Sequence, residues 1–275
     1  KIPRGQYGAV MIDEGHDFQP EWLKLVSGMV DPETDSLLLL YDDAQSIYNR
    51  TKQLDFSLSS VGINARGRTT VLKLNYRNTD EIFRFADQFA KRYLQVQESD
   101  EDHVPLLAAQ SAGRHGLKPE LRWFDNYPQE TQTIARWLRQ WHEQRDMAWA
   151  EMCVLYRHAA QGRQLYDALR EADIPCQWLG KPQTKRQFNP KNDCVKLMTM
   201  HSSKGLEFLL VVISGVGFMP EEGQDVQVEA KLLYVAMTRS TEKLLLTCHQ
   251  ESEFTRVFSE TMPTKNKLPA TALQP

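Results

Sequence analysis

Residues 195–213 read VKLMTMHSSKGLEFLLVVI. Two apolar runs, Val195 to Met200 and Leu209 to Ser214, enclose a polar turn. Runs of Val, Leu, Ile and Met without polar alternation suit strands buried on both faces, as in a parallel sheet. The same pattern recurs outward from this stretch, at Gly8 to Asp13, Ser36 to Tyr41, Thr70 to Leu74, Leu121 to Phe124, Met152 to Tyr156 and Leu244 to Thr247. Helical patterns lie between them, at about Glu21 to Val30, Asp80 to Leu94, Glu130 to Gln144, Gly162 to Ala172 and Val228 to Arg239. This alternation predicts an α/β fold, a parallel sheet with helices on both faces.

Composition sets the outer bounds. At 275 residues, 41% hydrophobic and 25% charged, the chain can build a substantial core. It has no apolar run near the roughly 18 residues of a membrane helix, and KIPRGQYGAV lacks the core of a signal peptide, so the expected location is cytoplasmic. Cys153, Cys176, Cys194 and Cys248 have no paired spacing, which points to reduced thiols and away from zinc or a disulfide framework. The net charge of −3 neither supports nor excludes nucleic acid, because only a binding groove has to be positive. The chain starts at Lys1, directly ahead of an apolar run, and is expected to be part of a longer protein. Ser57 to Arg68 reads as a join between two sheets, Gln183 to Asn192 as a polar loop, and Met262 to Pro275, with three prolines, as a disordered tail.

Five segments carry candidate chemistry. Val10-Met11-Ile12 delivers Asp13 and Glu14 to a strand's C-terminal end, where ligands of open α/β sheets bind. In phosphoryl transfer to water one such carboxylate holds Mg²⁺ and the other orients the water, though an acidic pair after a strand is more commonly a cap. A second strand runs into Tyr41-Asp42-Asp43-Ala44-Gln45-Ser46-Ile47-Tyr48. The Gln45 amide can donate to a γ-phosphate and accept from water, or simply cap a helix. Asn75-Tyr76-Arg77 and Tyr234-Val235-Ala236-Met237-Thr238-Arg239 each offer an arginine, able to stabilise charge on a transferring phosphoryl group or to lie as an ordinary surface cation. Around the polar turn between the Val195 and Leu209 runs, Thr199, His201 and Ser202 are suited to DNA phosphates without sequence readout.

Taken in order, the segments resemble the later motifs of superfamily I helicases of the UvrD/Rep family. VMIDEGHDFQ resembles the Walker B motif, YDDAQSIY the glutamine sensor, LKLNYRN the fourth motif, VKLMTMHSSKGLEF the fifth and EAKLLYVAMTRS the sixth. VLYRHAAQGRQLYDAL to ADIPC is similar to the family's connecting segment. The resemblance implies RecA-like domains and an ATP-dependent helicase acting with Mg²⁺ and ATP on single-stranded DNA or DNA junctions, moving 3′ to 5′. It implies Asp13 as Mg²⁺ ligand, Glu14 as catalytic carboxylate, Gln45 as γ-phosphate sensor, and Arg77 and Arg239 as arginine fingers. It also implies Glu207 at the ribose, and Thr199 and His201 along the DNA track; Ser202, Tyr48 and Arg50 are further DNA-side candidates.

Three departures accompany the likeness. GxxxxGK[ST] is absent, since the one Gly-Lys pair, Gly180-Lys181, precedes Pro182; the phosphate-binding loop is expected in an N-terminal part of the same protein. Only about a dozen residues, Lys181 to Asn192, stand where larger relatives insert a helical domain. Asn49-Arg50-Thr51 follows Tyr48 where many relatives place a base-stacking aromatic, and His16 replaces a common glutamine. The expected organisation is a remnant of a first RecA-like domain over 1–67, a second RecA-like domain over 68–260 and a tail over 261–275. By itself such a chain is expected to be inactive. The other readings are a pseudo-helicase binding module and the motor part of a nuclease-linked repair protein.

Overall fold

The computed structural model describes residues 4–41, 56–70, 74–94, 110–180, 189 and 192–262. Gln45, Tyr48 and Arg50, most of the 183–192 loop and nearly all of the tail lie outside the described residues. The chain forms two compact units, the first drawn from residues up to Lys73 and the second from Leu74–Tyr93 together with the chain from Gln110 onward.

In the first unit β1 (Val10–Ile12) pairs in parallel with β2 (Leu37–Leu39), joined through α1 (Pro20–Ser27). Pro20 opens α1, where a missing N–H costs nothing. One face of the pair packs Ile12 against Leu23, Leu58, Val61 and Ile63. On the other face the paired residues Met11 and Leu38 are 76% and 45% exposed, although parallel sheets are ordinarily covered on both sides.

The second unit starts with β3 (Leu74–Asn75), α2 (Asp80–Tyr93) and β4 (Gln110–Ser111), β3 and β4 forming a short parallel pair. The chain continues through β5 (Glu120–Trp123), α3 (Tyr127–Arg145), β6 (Met152–Tyr156), α4 (Ala159–Glu171), β7 (Cys176–Trp178), β8 (Val195–Thr199) and β9 (Phe208–Ile213). It ends with α5 (Val226–Met237), β10 (Ser240–Cys248) and α6 (Glu253–Thr261). Six of these strands form one all-parallel sheet ordered β5-β10-β9-β6-β8-β7. Alternate residues sort to the two faces. Met152, Val154, Tyr156, Leu197, Leu210 and Val212 pack with Ile134, Trp137, Leu138 and Trp141 of α3 and with Leu165 and Leu169 of α4. Residues of the opposite phase, such as Leu155, Met198, Val211 and Leu244, are also buried, and α5 packs on β9 and β10 with α2 beside it. The α/β class read from the apolar runs is therefore the observed one, a six-stranded parallel sheet flanked by helices.

Helix starts follow the sequence chemistry. The Asn126 side chain accepts Gln129 N–H at 2.9 Å at the head of α3, and that of Asp225 accepts Gln227 N–H at 2.8 Å at the head of α5. Three elements, β4, β7 and α6, were not expected; β4 and β7 are two and three residues long, too short for a periodic signal. Cys153 and Cys248 are buried and Cys176 and Cys194 half-buried, and burial pushes the Cys153, Cys176 and Cys248 thiols up, away from reactive thiolates.

One close approach in α4 is testable. A Cβ on Gly162 would stand 2.4 Å from Tyr156 Cζ, and the Tyr156 hydroxyl is tied to Trp178 Nε1 at 2.6 Å, so the ring cannot simply swing away. Gly162→Ala should lower unfolding stability by about 1–3 kcal/mol despite alanine's better helix propensity. A urea midpoint at or above wild type would show that the ring yields freely.

Candidate functional site

The Leu74–Asn75 strand end, the turn after β8 and the end of α5 meet in the second unit through contacts that can be named one by one. Arg77 Nε lies 3.0 Å from Glu207 Oε2, both side chains being well exposed. Next to Glu207, the Leu206 carbonyl accepts from Arg239 Nη1 at 3.3 Å. Arg239 donates in addition from Nε to Val235 O at 3.0 Å and from Nη2 to Thr238 Oγ1 at 3.2 Å, and is 1% exposed. Its guanidinium thus faces into its own unit. The sequence gives no hint of that orientation.

Tyr76, flanking Arg77, is 72% exposed. Nothing in NYRN separated it from a core aromatic. An exposed ring next in sequence to Arg77 is a platform on which a base can stack.

Thr199 ends β8 and caps the Met200–Ser203 turn, its Oγ1 lying 3.2 Å from Ser202 N–H and 2.9 Å from Ser202 Oγ. His201 and Ser202 are half-buried on that turn, so all three DNA-side candidates of the fifth segment sit at the C-terminal edge of the sheet. The chain leaves β6 through α4 toward β7 and leaves β9 through α5 toward β10, on opposite sides of the sheet order, so the β6 and β9 ends form a topological switch point.

In the first unit Asp13 is exposed at the end of β1, with Oδ1 accepting Glu14 N–H at 2.9 Å. Glu14 adopts a left-handed backbone, φ 53° and ψ 39°, unusual for a non-glycine residue and of a kind that concentrates at functional sites. Its Oε2 lies 3.0 Å from Nε2 of His16, which is 3% exposed and meets Tyr41 edge-on with ring centroids 5.5 Å apart. Gly15 permits this turn because a Cβ there would fall 2.3 Å from Leu39 Cδ1. Asp13 offers the hard oxygen donor that suits Mg²⁺.

Residues 70–185 and 180–251 match the family model of the UvrD-like helicase C-terminal domain. The chain belongs to the UvrD-like helicase C-terminal domain family. It is 44% identical over 68 residues to DNA helicase II of Escherichia coli K12, covering 22% of this chain and 9% of that protein. It is 44% identical over 73 residues to the ATP-dependent DNA helicase Rep of Buchnera aphidicola subsp. Schizaphis graminum, covering 24% and 11%. It is 29% identical over 136 residues to the mitochondrial ATP-dependent DNA helicase HMI1 of Saccharomyces cerevisiae, covering 48% and 19%. Each match takes in less than a fifth of the relative's length.

Within this UvrD-like domain the structure also displays groups that sequence reasoning passed over. Arg157, directly after β6, grips the buried Glu229 with Nε at 3.1 Å and Nη2 at 2.9 Å, joining the connecting segment to α5. Glu130, fully buried in the first turn of α3, accepts from Ser214 Oγ at 3.1 Å, Gly215 N–H at 2.6 Å, Thr247 Oγ1 at 2.5 Å and His249 Nδ1 at 2.9 Å. Their partners lie 72 to 119 residues away along the chain, so no local motif could have revealed them. Among the described residues no helix is long and apolar enough to cross a membrane.

Proposed function

We propose that this chain is the C-terminal motor part of an ATP-dependent DNA helicase or translocase that couples Mg²⁺-ATP hydrolysis to 3′ to 5′ movement on single-stranded DNA. The observation that carries the reading is the meeting of Arg77, Glu207 and the Arg239 segment in one neighbourhood of a UvrD-like domain. In this reading Arg77 and Arg239 stabilise the charge that develops on the γ-phosphoryl oxygens, and Glu207 contacts the ribose. Tyr76 gives the base a surface to stack on. Glu14 orients the attacking water, and Asp13 would hold Mg²⁺, which when bound draws charge from the phosphate oxygens. Gln45 senses the γ-phosphate. Thr199, His201 and Ser202 hold the DNA backbone, with Tyr48 and Arg50 as further contacts. The contacts of Thr199, His201 and Ser202 are to phosphate and carry no base code, so binding should depend weakly on sequence.

The 275 residues contain no GxxxxGK[ST]. Without those cradling amides and their lysine the triphosphate lacks its main anchor, so the chain alone should turn over ATP negligibly. The test compares DNA-stimulated phosphate release by the 275-residue chain and by the full-length protein. Turnover confined to the full-length protein is expected; vigorous turnover by the chain alone overturns the reading.

A further inference from the structure

Asn78 is 1% exposed, directly follows Arg77, and uses both of its amide hydrogens on the segment that carries the other arginine. Its Nδ2 donates to the carbonyl of Thr238 at 2.9 Å and to that of Ser240 at 2.6 Å, the two residues on either side of Arg239. Its Oδ1 accepts from Asn75 Nδ2 at 2.9 Å. Asn75 Oδ1 in turn accepts the backbone N–H groups of Arg77 and Asn78 at 3.0 Å each. An unbroken chain of hydrogen bonds therefore runs from the backbone of Arg77 to the backbone around Arg239, through two side chains with no role in the chemistry.

We infer that Asn78 is a positioning residue, a clamp that fixes the two arginine-bearing segments relative to each other so that both guanidinium groups can serve one phosphoryl group. This rests on the functional reading above and deepens it. The side-chain chemistry is demanding. A buried site that asks for two donors and one acceptor in a plane is met by a primary amide. Aspartate would set a carboxylate against two carbonyl oxygens, alanine would leave both carbonyls unbonded in the interior, and serine could bond one of them at most. The two segments are about 160 residues apart in sequence, Asn78 to Thr238 being separated by 160 positions and Asn78 to Ser240 by 162, so no local backbone geometry can do this in place of the clamp. The Arg77–Glu207 pair is too exposed to hold the segments together, since such pairs contribute little.

The first test is NMR of the 275-residue chain, following the Nε–H signals of Arg239 and Arg77 in wild type and Asn78→Ala. Exchange of the buried Arg239 Nε–H with water should rise about tenfold or more, and the Arg77 Nε–H signal should shift, while the β6 amides keep their protection. If Asn78→Ala does not fold, Asn78→Ser is read in its place. A folded variant with both guanidinium signals unchanged overturns the clamp. The second test is steady-state ATP turnover by the full-length protein. Asn78→Ala should lower kcat about tenfold or more while KM for ATP stays within about threefold, and adding it to Arg239→Ala should cost less than about threefold further. A KM effect alone, or full additivity with Arg239→Ala, would also refute it. If the wild-type full-length protein shows no ATP turnover, the functional reading fails, and the NMR result still decides the clamp.

Discussion

Replacing Arg239 by alanine is expected to lower kcat for DNA-stimulated ATP hydrolysis by the full-length protein about a thousandfold, with single-stranded DNA affinity mostly retained. The size follows from the role: a guanidinium acting on the transferring phosphoryl group stabilises charge that exists only in the transition state, so its loss falls on kcat. Arg239 is also buried and bonded to Val235 O, Leu206 O and Thr238 Oγ1, so the alanine variant should lose some stability as well. Measuring kcat, DNA affinity and thermal unfolding together separates the two contributions. Parallel loss of turnover and DNA binding would make Arg239 a packing residue of the α5 terminus and would remove it from the chemistry.

The second large effect concerns stability. Glu130→Ala should destabilise the chain by about 3–5 kcal/mol, because it strands several buried donors at once. Ser214 Oγ, Gly215 N–H, Thr247 Oγ1 and His249 Nδ1 all converge on this fully buried carboxylate. They come from the ends of β9 and β10, so the carboxylate ties two strand ends to the first turn of α3. Glu130→Gln, which keeps the shape but loses an acceptor, should cost less than alanine. Urea unfolding of the 275-residue chain measures both. A change below about 1 kcal/mol for the alanine variant would show that water or a rearranged loop satisfies the donors.

The two predictions differ in how far sequence reaches them. Arg239 is conspicuous in YVAMTRS as a candidate phosphate ligand, yet nothing in that string says that its guanidinium turns inward onto the Leu206 carbonyl. Glu130 carries no motif at all. The same division runs through the fold. Met152 to Tyr156 announces itself as a strand because burial on both faces favours apolar residues, and Val195 to Met200 does so with Lys196 and Thr199 as its polar members; both are strands in one parallel sheet. The Gln110–Ser111 and Cys176–Trp178 strands do not, since an edge strand of two or three residues has neither the length nor the composition to leave a period.

Sequence alone determined what depends on near neighbours along the chain: the α/β class, where the long strands and helices run, and which polar groups stand at strand ends. Hydrophobic patterning and short motifs are local properties, written in consecutive residues. Only the tertiary structure decided the strand order, the inward turn of Arg239, the four donors gathered on Glu130 and the Asn78 bridge between two arginine segments 160 positions apart. Those depend on which distant backbone carbonyls and donors are left needing a partner once the sheet has closed, and burial of such groups, absent from any linear string, is what makes their pairing obligatory.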